Sequence, residues 1–376
     1  ASACACRRNH PVLTAPDRHD ASVTPTPVPA TIAARPVRGR HGAVASPHHL
    51  ATQAGVQVLR SGGSAVDAAI AVNAALGFLE PVSCGIGGDL FAIVWDSESG
   101  KLYGLNASGR SPMALTADKI EPNDDGTIPL YSPLAWSVPG AVDGWFELHE
   151  RFGRLPMQKV LQPAIRAAEE GEPVPQVIAA AWQRGARVFG DKPGFAATFL
   201  TDGRAPQVGE IFRNPDLAKS YRLIAEQGRD AFYRGPITEA IVAFSEQNGG
   251  FFSAQDFERH TSEWVDPIST DYRGVTVYEL PPNGQGLAAL QMLNILEGYD
   301  LASMGRDSAH FWHVMVEAKK LAFEDRAKFY ADPAVADLPI AGLLSKEYAK
   351  ERAALIDPGR AARRIEAGQP RLHQGD

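Results

Sequence analysis

Glu80-Pro81-Val82-Ser83-Cys84-Gly85-Ile86-Gly87-Gly88-Asp89-Leu90-Phe91-Ala92-Ile93-Val94-Trp95-Asp96 is a glycine-rich turn running into an apolar segment. The unbroken run Leu90 to Trp95 predicts a buried strand. Upstream, Ser64-Ala65-Val66-Asp67 reads as a capping box with Asp in place of Glu or Gln. It opens a helix through Leu76 that is apolar nearly all round and must be buried. Helix, turn, strand is the reverse of a dinucleotide-binding unit, and Gly85, Gly87 and Gly88 lack that fingerprint's third glycine. Neither NAD nor phosphate binding is expected, and the glycines read first as a structural turn that permits close backbone approach.

Further out, Gly62-Gly63 stops a helix whose apolar positions 51, 54, 55, 58 and 59 have helical spacing. Gly42-Ala43-Val44-Ala45 looks like a short strand. Residues 1–38 carry Pro11, Pro16, Pro25, Pro27, Pro29 and Pro36 without periodicity, which predicts a flexible extension ahead of one folded part over 39–376. On the other side, Ser97 to Gly100 is a hairpin turn and Lys101 to Ser108 the returning strand. Helices are expected over 141–152, 157–170, 176–188, 217–227 and 238–247, with Ser253 capping a further short one. Ser269 to Glu279 reads as strand, turn, strand about Tyr272-Arg273-Gly274. Helices over 286–297 and 308–330 follow, the second with Phe311, Met315, Ala318 and Ala322 opposite Glu317, Lys320 and Glu324. No internal repeat is visible.

The 376 residues are 44% hydrophobic and 22% charged, an ordinary globular composition with enough chain for a large core. A net charge of −7 gives no electrostatic reason to bind nucleic acid. The longest apolar stretch, Ala68 to Leu79, is interrupted by Asn73 and falls short of the roughly 20 residues a bilayer span needs. Cys4, Cys6 and Cys84 cannot make a disulfide framework or a metal site. The chain begins with Ala, which suggests a piece of a longer product. Ser2-Ala3-Cys4 resembles the tail of a lipoprotein signal, hence an expectation of a periplasmic or secreted location.

Catalytic signatures are missing. The nearest approach to a nucleophile elbow, Gly62-Gly63-Ser64-Ala65-Val66, fails at its last position. His149-Glu150 lacks a second His at the zinc-protease spacing, and His48-His49 lack a nearby carboxylate or Cys. The acidic residues between 317 and 326 alternate with Lys and Arg, which suits helix ion pairs better than an acid/base couple. No metal or cofactor is expected. Beyond Asp357 the sequence stops at Asp376 without a capped helix or closing strand, as a cut end would.

In order along the chain stand Gly42-Ala43-Val44-Ala45-Ser46, Leu59-Arg60-Ser61-Gly62-Gly63-Ser64-Ala65-Val66-Asp67-Ala68-Ala69, Gly85-Ile86-Gly87-Gly88-Asp89-Leu90-Phe91 and Val138-Pro139-Gly140. Gln162-Pro163-Ala164, Asp271-Tyr272-Arg273-Gly274, Leu293-Asn294-Ile295-Leu296-Glu297 and Asp325-Arg326 follow. Together these resemble the large subunit of the gamma-glutamyltranspeptidase family of N-terminal-nucleophile (Ntn) hydrolases, from about Gly42 to Asp376. The resemblance implies an α/β (α+β) fold, the four-layer αββα Ntn sandwich, completed only by a second, small subunit. It implies a precursor that cuts itself just before a Thr, with Gly375-Asp376 as the junction. That Thr would be the small subunit's nucleophile and, through its amine, its base. No catalytic residue then lies in this chain, whose partners are the small subunit and a gamma-glutamyl or other small amide substrate. Glutathione is the default donor.

The family's large subunit contributes an Arg that holds the donor's alpha-carboxylate, in a stretch reading here Asn106-Ala107-Ser108-Gly109-Arg110-Ser111-Pro112. Ser108 stands at the Arg position. Losing a hydrogen bond to a charged group costs about 1.5–3 kcal/mol, or roughly ten- to a hundredfold in affinity. Arg110 offers a substitute, since residues two apart in an extended segment share a face about 6.6 Å apart. Otherwise Arg110 pairs structurally or faces solvent, and the pocket takes another acyl group, as in amidohydrolase or beta-lactam side-chain acylase branches. A non-catalytic scaffold that has lost processing is the third reading.

Overall fold

In a computed structural model, residues 38–371 are described. Residues 1–37 of the expected 1–38 extension and the expected junction at Gly375-Asp376 lie outside them. Helix takes up 48% of the chain and strand 10%, a mixed α/β fold. The described residues divide into two compact units. One holds the chain up to Asp89 with Ser108–Thr261, and the other holds Leu90–Ala107 with the chain from Ser262 onward.

The first unit starts with α1 (His49–Arg60) and α2 (Ala65–Leu79). Residues 42–45 form no strand, contrary to the sequence expectation. A strand exists only through its ladder, and no described segment supplies one here. Ala51, Ala54, Gly55 and Val58 form the buried stripe of α1, and a Cβ on Gly55 would come within 2.7 Å of Val72. That close approach seats α1 on α2. The capping box of α2 is present, with Ser64 Oγ accepting from Asp67 N (3.0 Å) and Asp67 Oδ2 from Ser64 N (2.8 Å). The same Oδ2 accepts from Arg154 N and Leu155 N. Twelve of fifteen α2 residues are buried, and the helix runs three residues past the expected end because its last turn is buried too.

The chain departs through β1 (Leu90–Asp96) and β2 (Lys101–Ala107), which belong to the second unit. It returns as α3 (Ala141–Phe152), α4 (Met157–Glu170), β3 (Glu172–Pro173), α5 (Gln176–Phe189), α6 (Phe195–Phe199), β4 (Ile211–Phe212) and α7 (Pro215–Gln227). Helices α8 (Asp230–Tyr233), α9 (Pro236–Gln247) and α10 (Ala254–Glu258) complete the unit. Helix α2 packs on α1, α3 and α4. Its one amide side chain, Asn73, accepts from Trp145 Nε1 of α3 at 2.8 Å, which accounts for a polar residue in an otherwise apolar helix.

In the second unit β1 pairs antiparallel with β2, Leu90 opposite Ala107 and Asp96 opposite Lys101. β5 (Glu263–Val265) adds to β2, giving the order β1-β2-β5. β1 is not buried on both faces as expected. Phe91, Ile93 and Trp95 lie on one face by the two-residue period, and they are 46%, 41% and 62% exposed. No described segment of this unit covers that face. β6 (Ile268–Tyr272) and β7 (Val275–Glu279) form the predicted hairpin. Arg273 (φ 54°) and Gly274 (φ 81°) supply the two left-handed residues its tight turn needs.

The unit ends with α11 (Gly286–Leu296), α12 (Leu301–Met304), α13 (Ala309–Phe329), α14 (Ile340–Leu344) and α15 (Lys346–Ala353). On α13 the predicted polar face is corrected. Glu317 is buried, as is Asp325, because each satisfies its charge internally, Glu317 with Lys320 and Asp325 with Arg352. Among the described residues no helix is long and apolar enough to cross a membrane.

Candidate functional site

The first unit loses the chain at Asp89 and regains it at Ser108, and these two points are tied together. Gly109 N donates to Asp89 Oδ1 at 3.2 Å. One residue earlier, Gly88 O accepts from both Gly140 N and Ala141 N at 3.0 Å, amides at the start of α3. Val138 N donates to Arg110 O at 3.0 Å. Gly109 must lack a side chain, since a Cβ there would land on the Val138 carbonyl. The turn at 85–89, the segment 108–112 and the loop 138–141 therefore form one wall.

Behind that wall lies a buried polar cluster. Tyr233 of α8 donates to Pro139 O at 2.7 Å and accepts from Asp143 N at 3.0 Å. The Arg229 guanidinium pairs with Asp143 through Nε, donates to His260 O, and lies 4.4 Å over the Tyr233 ring. His260 stacks on the Tyr233 ring with centroids 5.2 Å apart, its Nε2 3.8 Å from Asp143 Oδ2. Burial pushes the imidazole of His260 below its usual value; Asp143 opposes this, and Arg229 and Arg110 reinforce it. Burial likewise raises the Asp89 carboxyl, partly offset by the Gly109 N–H.

Of the predicted site residues, Ser108 is half-buried and Arg110 exposed at the wall's surface. β2 ends at Ala107, so strand alternation does not govern 108–110. The backbone there is held by Val138 and by Asp89 instead. Asp143, Arg229, Tyr233 and His260 escaped the sequence reading. Asp143 stands in the first turn of α3, where an acidic residue is ordinary, and its partners Arg229, Tyr233 and His260 lie roughly 90 to 120 residues further on and left no spacing to read.

On the far side of the same turn an apolar cavity of about 190 Å³ is lined by Phe78, Cys84, Ile86, Phe199, Phe212 and Leu217. Burial raises the Cys84 thiol, with Glu80 adding to the effect. Gly87 on this turn has an ordinary φ, and a Cβ there would meet nothing within 4 Å. Nothing in this unit demands a glycine at 87. The wall presents a cation, a carboxylate and exposed backbone, the equipment for binding an ionic small molecule; it holds no nucleophile beside a base.

The family model for gamma-glutamyltranspeptidase matches residues 51–375. The glutathione hydrolase-like YwrD proenzyme of Bacillus subtilis is 42% identical over 318 residues, covering 84% of this chain and 60% of its own. Gamma-glutamyltranspeptidase of Helicobacter pylori superposes with a TM-score of 0.82 at 28% identity, over 90% of this chain and 99% of that one. Cephalosporin acylase of Bacillus halodurans superposes at 0.75 with 44% identity, over 82% of this chain and 58% of that one. The chain thus spans about 60% of the length of the curated relatives it matches. With the ordered motifs, the matched span and the superposed fold in agreement, this chain belongs to the gamma-glutamyltranspeptidase family.

Proposed function

We propose that this chain is the large subunit of a self-processed Ntn hydrolase or transpeptidase acting on gamma-glutamyl amides such as glutathione. The observation that carries this is one of extent. The chain matches 99% of one gamma-glutamyltranspeptidase chain but 58% of the acylase chain, as one product of a cut precursor would. The rest of the sandwich, and the N-terminal Thr, belong to the small subunit. The exposed β1 face of Phe91, Ile93 and Trp95 and the open turn at Gly87 support such a partner.

In that assembly the Thr hydroxyl oxygen attacks the amide carbon while the Thr amine takes its proton. The leaving amine departs with that proton, and the acyl ester passes to water or to an acceptor amine. Arg110 meets the donor's carboxylate in place of the residue now Ser108, on a backbone fixed by Gly109 and Val138.

Ser108 and the 44% identity to a cephalosporin acylase favour one other reading, an amidohydrolase or acylase on the same scaffold. Hydrolysis of a gamma-glutamyl anilide against a simple acyl anilide by the co-expressed two-chain protein separates them. A glutamyl preference of tenfold or more supports the proposal. Equal or reversed rates overturn it in favour of the acylase.

A further inference from the structure

Helix α1 is closed at its start by an imidazole. His48 stands at the N-cap, and its Nδ1 accepts from Leu50 N at 3.2 Å. Among the described residues, Ser64, Asn214, Ser308 and Ser345 cap α2, α7, α13 and α15 in the same way, each with an oxygen. Serine and asparagine are ordinary N-caps and neither titrates, whereas histidine is not among the preferred residues. A ring nitrogen that accepts must carry no proton, so the neutral ring holds its hydrogen on Nε2. That Nε2 is buried without a partner among the described residues, and the whole residue is 3% exposed.

The cap sits where the chain turns back on itself. Ser46 Oγ donates to His48 O at 2.9 Å and meets Thr52 Oγ1 at 2.8 Å, while Thr52 N donates to the same His48 carbonyl at 3.0 Å. Ahead of this turn the segment 42–46 runs back along α1, with Val44 against Gly55 and Gly42 near Leu59. Three titratable groups face the ring. His49 of α1 stacks on it with centroids 4.9 Å apart. Glu80, at the end of α2, favours its charged form. Glu172 of β3 lines the same small cavity, and every other residue lining that cavity is uncharged.

We propose that His48 is an acid-released latch, whose neutral imidazole closes the first turn of α1 and whose protonation at Nδ1 frees that turn and the segment 42–47. The added proton comes from solvent and occupies the lone pair that the Leu50 N–H needs, so two N–H groups then point at each other. The charged ring leaves the helix start, where the macrodipole also repels a cation, and turns toward Glu80 and Glu172. The serine and asparagine caps keep their acceptors through the same change of pH. Burial holds the imidazole below its usual value, as does His49, and Glu80 opposes both, so release comes below about pH 6.5.

Backbone amide hydrogen exchange on the co-expressed two-chain protein tests this, each amide referred to its intrinsic rate at the same pH. Between pH 8 and pH 5, protection at the start of α1 is expected to fall roughly fivefold or more, the worth of a lost cap. Protection at the start of α7, where Asn214 Oδ1 accepts from Leu217 N at 2.9 Å, is expected to change by less than about twofold. His48→Asn replaces the ring nitrogen with an acceptor that does not titrate, and protection in that variant is expected to stay level across the range. No fall in the parent overturns the proposal, as does an equal fall at α7, which would mark loosening of the whole unit. A pH-dependent fall that persists in His48→Asn overturns it too. Should that variant fail to fold, the comparison of α1 with α7 in the parent decides alone.

Discussion

The Tyr233 hydroxyl bonds the Pro139 carbonyl and, from its other side, the Asp143 amide, so one phenol fixes the loop before α3 and the helix's first turn. Tyr233→Phe keeps the ring stacking and removes both bonds. Each buried group left without a partner costs about 1–3 kcal/mol. The urea midpoint is expected to fall accordingly with the slope unchanged, and a midpoint equal to the parent's contradicts this role.

Gly109 sits where any side chain strikes the Val138 carbonyl. Gly109→Ala is expected to displace the 108–110 backbone, at a cost of about 1–3 kcal/mol for an overpacked site. It also raises KM for acidic donors more than it lowers kcat. Equal effects on donors with and without a carboxylate would show that the segment is scaffold alone.

Arg110→Ala carries the recognition question. If its guanidinium holds the donor's carboxylate, KM for gamma-glutamyl donors rises roughly ten- to a hundredfold. KM for an uncharged acyl amide stays put. Steady-state kinetics on the two substrates decide, and an unchanged glutamyl KM removes Arg110 from the site.

His260 and His48 are both held below the usual imidazole value, chiefly by burial. As pH falls through about 6.5 the unfolded chain takes up these protons before the folded one does. The stability of the neutral, buried rings is therefore whole above that pH and lost below it. For His260, the nearby Asp143 softens the loss, and Arg229 and Arg110 sharpen it. Thermal midpoints between pH 8 and pH 5 are expected to decline, with a shallower slope in His260→Gln. Identical slopes in parent and variant would refute this.

Local signals were readable wherever one stretch of chain settles its own shape. The Ser64–Asp67 box, the α1 stripe, the β1–β2 hairpin and the Arg273-Gly274 turn all rest on residues within a few positions of one another. Family motifs did the same for the fold class. What stayed hidden is held by long-range bonds. Asp67 capping α2 while also gathering Arg154 and Leu155 leaves no periodic mark, and neither do Tyr233 with Pro139 or Asp325 with Gly368. The α13 charges looked solvated because helical spacing records which residues share a face, not what covers it. For the same reason an apolar run on β1 promised two covered faces where this unit covers one.

That bare sheet face has a bearing on how such a protein can be made. A long edge strand displaying Phe91, Ile93 and Trp95 is a template for sticking to its own kind. Synthesising both halves as one polypeptide would put the covering piece at high local concentration from the moment of translation. On the proposed self-processing, scission that waits for folding would serve assembly as well as chemistry, and halves produced separately are expected to aggregate before they meet.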